Sequence, residues 1–295
     1  MIKERLASNS MNIHNILLAT DFSPSSKAAL KYAAFAAKRC NCHLFVVHVI
    51  SESVYTDVPP EILAKAKTHT LADARRRLER LRSGLKDIQT EFILKEGLVA
   101  DTLLALTESK SVDLVVLGTR GHRRIERLLL GSVAEKLSRQ ASCPVLVVPD
   151  SAVSYLSKVT INSILCPTNF SQRSTAALQQ AMRFANDLSA RVILLHVVED
   201  STLDRADRIA SSTAVKQRLS SLSSSWSSGE PSQQAELVVE FGAPARTILR
   251  VAAERHIDLI VLSIQRAKPV AAHLPPEITY SVVQLSQCPV LTIAT

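Results

Sequence analysis

Apolar positions in the first half of the chain fall in short runs separated by longer stretches of helical spacing. Asn12-Ile-His-Asn-Ile-Leu-Leu-Ala-Thr20, His43–Ile50, Thr90–Lys95, Asp113-Leu-Val-Val-Leu117 and Pro144–Val148 are brief and rich in β-branched residues. They predict five strands. Between them, Ser25–Cys40 carries Leu30, Ala33, Ala34 and Ala37 on one helical face. Ser23 is placed as its N-cap and Pro24 suits its first turn. Further helices are predicted at about Glu61–Arg82, after Pro59-Pro60, and at Val99–Ser109 and Ser132–Gln140. Strands alternating with helices predict an α/β domain with a mostly parallel sheet. Such sheets bind ligands beyond the carboxyl ends of their strands, where strand order reverses. Asp21, Val49 and Gly118 all lie at such ends.

The same pattern then returns. Thr20-Asp-Phe-Ser23 recurs as Thr168-Asn-Phe-Ser171, and Val47-His48-Val49 as Leu195-His196-Val197. Asp113-Leu-Val-Val-Leu117 recurs as Asp258-Leu-Ile-Val-Leu262, and Cys143-Pro-Val-Leu146 as Cys288-Pro-Val-Leu291. The chain therefore reads as two tandem copies of one domain, residues 1–150 and 161–295, joined by a linker at 151–160. A length of 295 residues suits two ordinary domains. The second copy is shorter in its middle. That region is rich in serine, at Ser211-Ser212 and from Ser220 to Ser228 around Trp226, and is expected to be a ragged helix end and a solvated loop. Trp226 is expected to fold onto its own domain, with a partner contact as the alternative.

Between the strand at Asp113 and the helix at Ser132 lies Gly118-Thr-Arg-Gly-His-Arg-Arg-Ile-Glu-Arg-Leu-Leu-Leu-Gly131-Ser132. The chain has only seven glycines, and three of them are here. Average usage would give roughly twenty in all. A strand, a glycine-spaced loop and a helix start form an anion site, because free N–H groups and the positive end of the helix dipole face the bound group. A phosphate-bearing ligand at Gly118, Gly121, Gly131 and Ser132 is the expectation.

Charge sharpens this picture. The net charge is +8, but residues 1–148 carry 22 Lys and Arg against 15 Asp and Glu, and the remainder 13 against 12. Arg120, Arg123, Arg124 and Arg127 fall inside the glycine window and suit a local phosphate. Arg75, Arg76, Arg77, Arg80 and Arg82 fall on the long helix and read as a solvated face. No aromatic platform accompanies them, which argues against a nucleic-acid partner. No apolar run approaches the roughly 18 residues of a membrane helix. The polar N-terminus lacks the apolar core of a signal peptide, so a cytoplasmic location is expected. The five cysteines, Cys40, Cys42, Cys143, Cys166 and Cys288, make an odd set without disulfide-framework spacing. Cys40-Asn-Cys42 has no second pair to complete a metal site, so no metal ligands are assigned.

The Thr20-Asp21-Phe22-Ser23 turn, the His48-Val49 strand end, Gly118-x2-Gly121-x9-Gly131-Ser132 and Cys143-Pro144 together resemble the universal stress protein (UspA-like) family. The second copy has the same layout, so the resemblance spans nearly the whole chain. It implies two tandem Rossmann-like domains of the adenine nucleotide alpha hydrolase type, each a five-stranded parallel sheet flanked by helices. It also implies ATP over the strand ends of the first. The matching positions are Asp21 and Val49 on the adenosine side, and Gly118, Arg120, Gly121, Gly131 and Ser132 around the phosphates. Magnesium accompanies ATP by its preference for phosphate oxygens, with Asp21 the only carboxylate nearby. The resemblance further implies pairing of the two copies through their last strands, Val145–Val148 and Val290–Ile293, with a homodimer as a further assembly and an unidentified protein partner.

The second copy departs from this site. At the shared spacing Gly118 becomes Ser263, Gly121 becomes Arg266, Gly131 becomes Pro276, Ser132 becomes Glu277 and Asp21 becomes Asn169. Pro276 has no N–H to donate. Glu277 sets a carboxylate against phosphate oxygens, costing about 4 kcal/mol per charge pair at 4 Å and an effective dielectric of 20. No ATP is expected in the second copy. Three functions follow: a nucleotide-binding regulatory protein of the stress response, a slow ATPase or phosphotransferase, or an interaction module independent of nucleotide. The window lacks the Lys-Ser/Thr ending of a P-loop, and no acid/base pair is legible beside it. His122 reads as a ligand contact or loop residue, so no catalytic residue is assigned. His48 and His196 stand at equivalent places in both copies, one of which has lost the ligand positions. A structural role is therefore expected for both.

Overall fold

The computed structural model describes residues 13–119, 130–152, 158–199, 205–224, 235–265 and 278–294. The chain divides into two compact units, one covering Asn12–Val159 and the other Thr160–Thr295. The first contains strands β1 (Asn15–Ala19), β2 (His43–Ser51), β3 (Thr90–Gly97), β4 (Leu114–Gly118) and β5 (Val145–Val148). Its helices are α1 (Pro24–Cys40), α2 (Pro60–Arg82), α3 (Val99–Ser109) and α4 (Ser132–Gln140). The strands lie in the order β3-β2-β1-β4-β5. Their pairings are parallel, with Leu17 opposite Phe45 on one side and Val115 on the other. Ile16, Leu17 and Leu18 are wholly buried, as a central parallel strand covered on both faces must be. Strand order reverses between β1 and β4, the place where sheets of this kind bind ligands beyond the carboxyl ends of their strands.

The amino end of β1 is braced from a distance. The Asp113 carboxylate, just before β4, accepts hydrogen bonds from the backbone N–H groups of His14 (2.8 Å) and Asn15 (2.9 Å). Helix α1 starts as its sequence predicts. The Ser23 side chain accepts from the N–H of Ser26, Pro24 opens the helix, and Asn41 ends it in the left-handed conformation at φ 51°. The strands shift slightly from expectation. β1 begins at Asn15 rather than Asn12, β3 runs on to Gly97, and β4 starts one residue later at Leu114. Gly97 has φ +144°, outside the range that side chains favour, so it closes the strand and turns the chain into α3.

The second unit repeats this plan with β6 (Ser163–Pro167), β7 (Arg191–Val198), β8 (Glu236–Phe241), β9 (Leu259–Ile264) and β10 (Val290–Ala294). Helices α5 (Gln172–Leu188), α6 (Arg205–Ser224), α7 (Pro244–Glu254) and α8 (Ile278–Leu285) complete it. The order is β8-β7-β6-β9-β10, and the described pairings are parallel. Asp258 braces the start of β6 through the N–H groups of Asn162 (2.9 Å) and Ser163 (3.0 Å). Gly242, at φ +131°, follows β8 as Gly97 closes β3.

One expectation is corrected here. Ser211-Ser212 lie inside helix α6 rather than in a loop, Ser220–Ser224 form its last described turn, and residues 225–228 lie outside the described residues. Serine hydroxyls of α6 bond back to carbonyls of the preceding turn, Ser221 to Gln217 (3.1 Å) and Ser224 to Ser221 (3.1 Å), while Leu219 is wholly buried. Trp226 lies outside the described residues. All five cysteines have free thiols. Burial pushes the Cys166 thiol up to about 12, and those of Cys42, Cys143 and Cys288 up to about 11. These four stay protonated near neutrality and pack as small apolar groups. Among the described residues, no helix is long and apolar enough to cross a membrane.

Candidate functional site

The carboxyl end of β1 makes a tight turn. The Phe22 N–H donates to Thr20 Oγ1 (3.1 Å), and the Ser23 N–H donates to Asp21 Oδ1 (3.0 Å). This Asx turn delivers the chain to the start of α1. The Ser23 hydroxyl lies 3.2 Å from the Ser25 hydroxyl. Ser25 in turn sits against Gly118 at the end of β4. A Cβ on Gly118 would fall 2.5 Å from Ser25 Oγ and 2.7 Å from the Ser25 backbone carbon. Asp21, Ser23, Ser25 and Gly118 thus form one connected cluster across the β1/β4 reversal. This gives Gly118 a packing reason that sequence reading missed. Its missing side chain is required by the approach of α1, whatever binds beyond it.

The glycine window leaves and rejoins this cluster. Thr119 is buried, and its N–H donates to the Val148 carbonyl (3.0 Å). Its carbonyl accepts from the N–H of Gly131 (2.9 Å), which returns the loop beside the strand it left. Gly131 is the N-cap of α4 with φ −62° and ψ 138°, a conformation open to any residue. Among the described residues no side chain caps this helix start, and Ser132 is exposed. Val49 lies near the end of β2 and is buried. Arg120, Gly121, His122, Arg123, Arg124 and Arg127 lie outside the described residues. The structure therefore brings Asp21, Gly118, Gly131 and Ser132 to one end of the sheet, with Val49 at the neighbouring strand end.

Beneath the Asp21 turn sits a side-chain stack. His48 Nδ1 donates to the Thr20 carbonyl at 2.7 Å, and its ring meets Phe22 at a centroid distance of 4.6 Å. The guanidinium of Arg77 lies 5.6 Å from the other ring partner, Phe22, while its Nε bonds Asp73 at 2.7 Å. Arg82 lies 4.8 Å over Phe92. The arginine face of α2 is thus more than a solvated surface: two of its five arginines cover aromatic rings. Nothing in the helical spacing of those arginines signals the rings they reach. Phe22 itself holds φ +65°, which costs a bulky residue roughly 1–2 kcal/mol.

The second unit reproduces the turn and the stack. Phe170 has φ +61°, its N–H donates to Thr168 Oγ1 (3.0 Å), and Ser171 donates to Asn169 Oδ1 (3.2 Å). His196 Nδ1 donates to the Thr168 carbonyl at 2.7 Å and its ring meets Phe170 at 4.6 Å. The two histidines hold the turn in both units, the structural role their equivalent positions predict. Ser263 stands where Gly118 stands. Arg266, Pro276 and Glu277 lie outside the described residues.

The family model for the universal stress protein family matches residues 12–149 and again 160–294. A universal stress protein of Methanocaldococcus jannaschii is 33% identical over 147 residues, 48% of this chain and 85% of the relative. One from Mycobacterium tuberculosis is 27% identical over 288 residues, 94% of this chain and 95% of its own length. The crystal structure of a universal stress protein from Archaeoglobus fulgidus has the same fold, with a TM-score of 0.72 at 21% identity, covering 96% of this chain and 99% of that one. With the doubled α/β plan and the doubled family match, this chain belongs to the universal stress protein family.

Proposed function

We propose that the first domain binds ATP at the β1/β4 reversal and that the protein acts as a nucleotide-dependent regulator in the stress response. The observation that carries this reading is that α4 starts at Gly131, which has no side chain to cap it, at the same sheet end as the Asp21–Ser25–Gly118 cluster. Uncapped N–H groups at a helix start suit phosphate oxygens, and the helix dipole adds to the attraction. Asp21 keeps a carboxylate at the turn where the second copy manages with Asn169. On this reading Gly118, Arg120, Gly121, Gly131 and Ser132 surround the phosphates, and Asp21 and Val49 face the adenosine. Magnesium enters with the phosphates and takes few protein ligands. The second domain, without these residues, serves as a partner within the chain. ATP regulates by binding one state of the protein more tightly than another.

The test is a substitution that separates helix stability from phosphate binding. Gly131→Asp supplies a preferred N-cap, so it leaves the first domain as stable or raises it by about 0.3 kcal/mol in denaturant unfolding. The same carboxylate occupies the α4 amides and repels phosphate. Calorimetry with Mg-ATP should show tight binding in the natural protein and at least a tenfold loss in the variant. Unchanged affinity refutes the phosphate position. Acid extraction of the purified protein, followed by hours of incubation with ATP, separates binding from turnover. Retained ATP supports a regulator, and steady ADP release that Gly131→Asp abolishes establishes an enzyme.

A further inference from the structure

Resting on the nucleotide reading above, we infer that His48 is a positioning residue that sets the Asp21 carboxylate for the ligand by clamping the residues on both sides of it. Thr20 is held by its carbonyl, which accepts from His48 Nδ1 at 2.7 Å, and by its N–H, which donates to the Val47 carbonyl at 2.9 Å. Because the acceptor is a carbonyl, the ring nitrogen facing it carries the proton, which fixes the tautomer and the plane of the ring. Phe22 is held by the same imidazole from the other side of Asp21, with ring centroids 4.6 Å apart.

Phe22 needs that support. At φ +65° a phenylalanine sits in a region that L-residues with bulky side chains avoid, and strain of this kind persists only where surrounding contacts over-determine it. Here the contacts are the His48 ring, the Arg77 guanidinium 5.6 Å from the Phe22 centroid, and the Phe22 N–H bond to Thr20 Oγ1. Releasing the imidazole lets Phe22 relax toward negative φ. That rotation moves the peptide linking it to Asp21 and breaks the Asx turn in which Ser23 donates to Asp21 Oδ1. His48 therefore acts on the ligand through Asp21 and need not touch it.

The second unit supplies the control within the same molecule. His196, Phe170, Thr168 and Arg218 repeat the clamp, with Arg218 4.2 Å from the Phe170 centroid. What they position is the amide of Asn169. Loss of His196 therefore reports what the clamp contributes to the turn and to stability where no carboxylate is positioned, and the coupling of His48 to Asp21 reports what it adds for the ligand.

The experiment uses the full chain and Mg-ATP in calorimetry, with His48→Ala, His196→Ala, Asp21→Asn and the double variant His48→Ala/Asp21→Asn. The expected result is about a tenfold loss of affinity for His48→Ala and less than about twofold for His196→Ala. In the Asp21→Asn background, the loss on adding His48→Ala shrinks to less than about twofold, since coupled residues do not add. His48→Asn, whose amide nitrogen can still reach the Thr20 carbonyl, recovers part of the affinity and serves if His48→Ala does not fold. A second readout is independent of ligand: amide hydrogen exchange at Phe22 and Ser23 should quicken in His48→Ala. Equal effects of the two histidine variants, or full additivity of His48→Ala with Asp21→Asn, or unchanged exchange at Ser23, overturns the positioning role. If the natural protein binds no ATP, the nucleotide reading falls and the inference falls with it. If it binds ATP and Asp21→Asn weakens it while His48→Ala does not, the inference alone falls.

Discussion

The two domains share the braces, turns and ring stacks that build the fold and differ where a ligand is expected. Both brace their first strand with an aspartate, Asp113 or Asp258, and both turn out of their third strand on a positive-φ glycine, Gly97 or Gly242. Both hold a strained phenylalanine against a histidine. At the strand reversal they part. The first has Gly118 and the charged Asp21, and the second has Ser263 and the neutral Asn169. A domain of this plan folds without the glycine window, so the window is not a requirement of the plan itself. Gly118 complicates the inference, because α1 in the first domain comes so close that even a methyl group is excluded. The second domain has Arg173 where the first has Ser25, so its helix start is built from different residues to accept Ser263.

The largest expected effect tests that difference. Gly118→Ala places a Cβ within 2.7 Å of the Ser25 backbone carbon, a clash that backbone shift alone relieves. We expect a loss of about 3 kcal/mol from overpacking, with or without nucleotide, in denaturant unfolding. Ser25→Gly should restore only part of it, since the backbone contact remains. Ser263→Gly in the second domain should change stability by less than about 1 kcal/mol. A mild Gly118→Ala would show that α1 can withdraw and that ligand approach alone keeps the glycine.

Next come the shared glycines. Gly97→Ala and Gly242→Ala each force a side chain into positive φ, with a Cβ 3.0 Å from Thr102 Oγ1 or 3.2 Å from Thr247 Oγ1. Each should cost about 1–2 kcal/mol in thermal or denaturant unfolding, nearly alike in the two halves. Neither should change nucleotide affinity by more than its effect on the folded fraction. A large difference between the two would break the claim that the domains share one frame.

The smallest effect on stability should come from exchanging the turn residues. Asn169 already makes the turn that Asp21 makes, so Asp21→Asn should shift stability by less than about 0.5 kcal/mol while lowering Mg-ATP affinity. Asn169→Asp should leave stability equally unmoved and create no second site. Binding in the second domain of that variant would show that the carboxylate, not the window, decides which half holds nucleotide.

Much of this was readable from the chain. Periodicity placed the strands and helices, because both faces of a parallel strand must be apolar and each helix must show one apolar stripe. Offset repetition revealed the second domain, and the Ser23-Pro24 start of α1 was legible as a local cap. Contacts between distant residues were not. Nothing near Gly118 announces Ser25, which lies 93 positions earlier. The arginines of α2 read as a solvated face because helix spacing says nothing about Phe22 or Phe92 across the packing. Ser211-Ser212 and Ser220–Ser224 read as a ragged helix end and loop because intrinsic propensity is weak, and the buried Leu219 that holds their helix in place is a tertiary fact.

The brace between Asp113 and the start of β1 also bears on how a tandem repeat avoids tangling during synthesis. It joins residues 98 apart, so the first sheet closes only when most of its domain has been made. Asp113 emerges about fifty residues before Ser163, the start of the rival first strand. The first carboxylate thus meets its own strand about fifty residues before a rival strand is made. Order of emergence therefore favours each brace closing within its own copy, although the two braces are built alike.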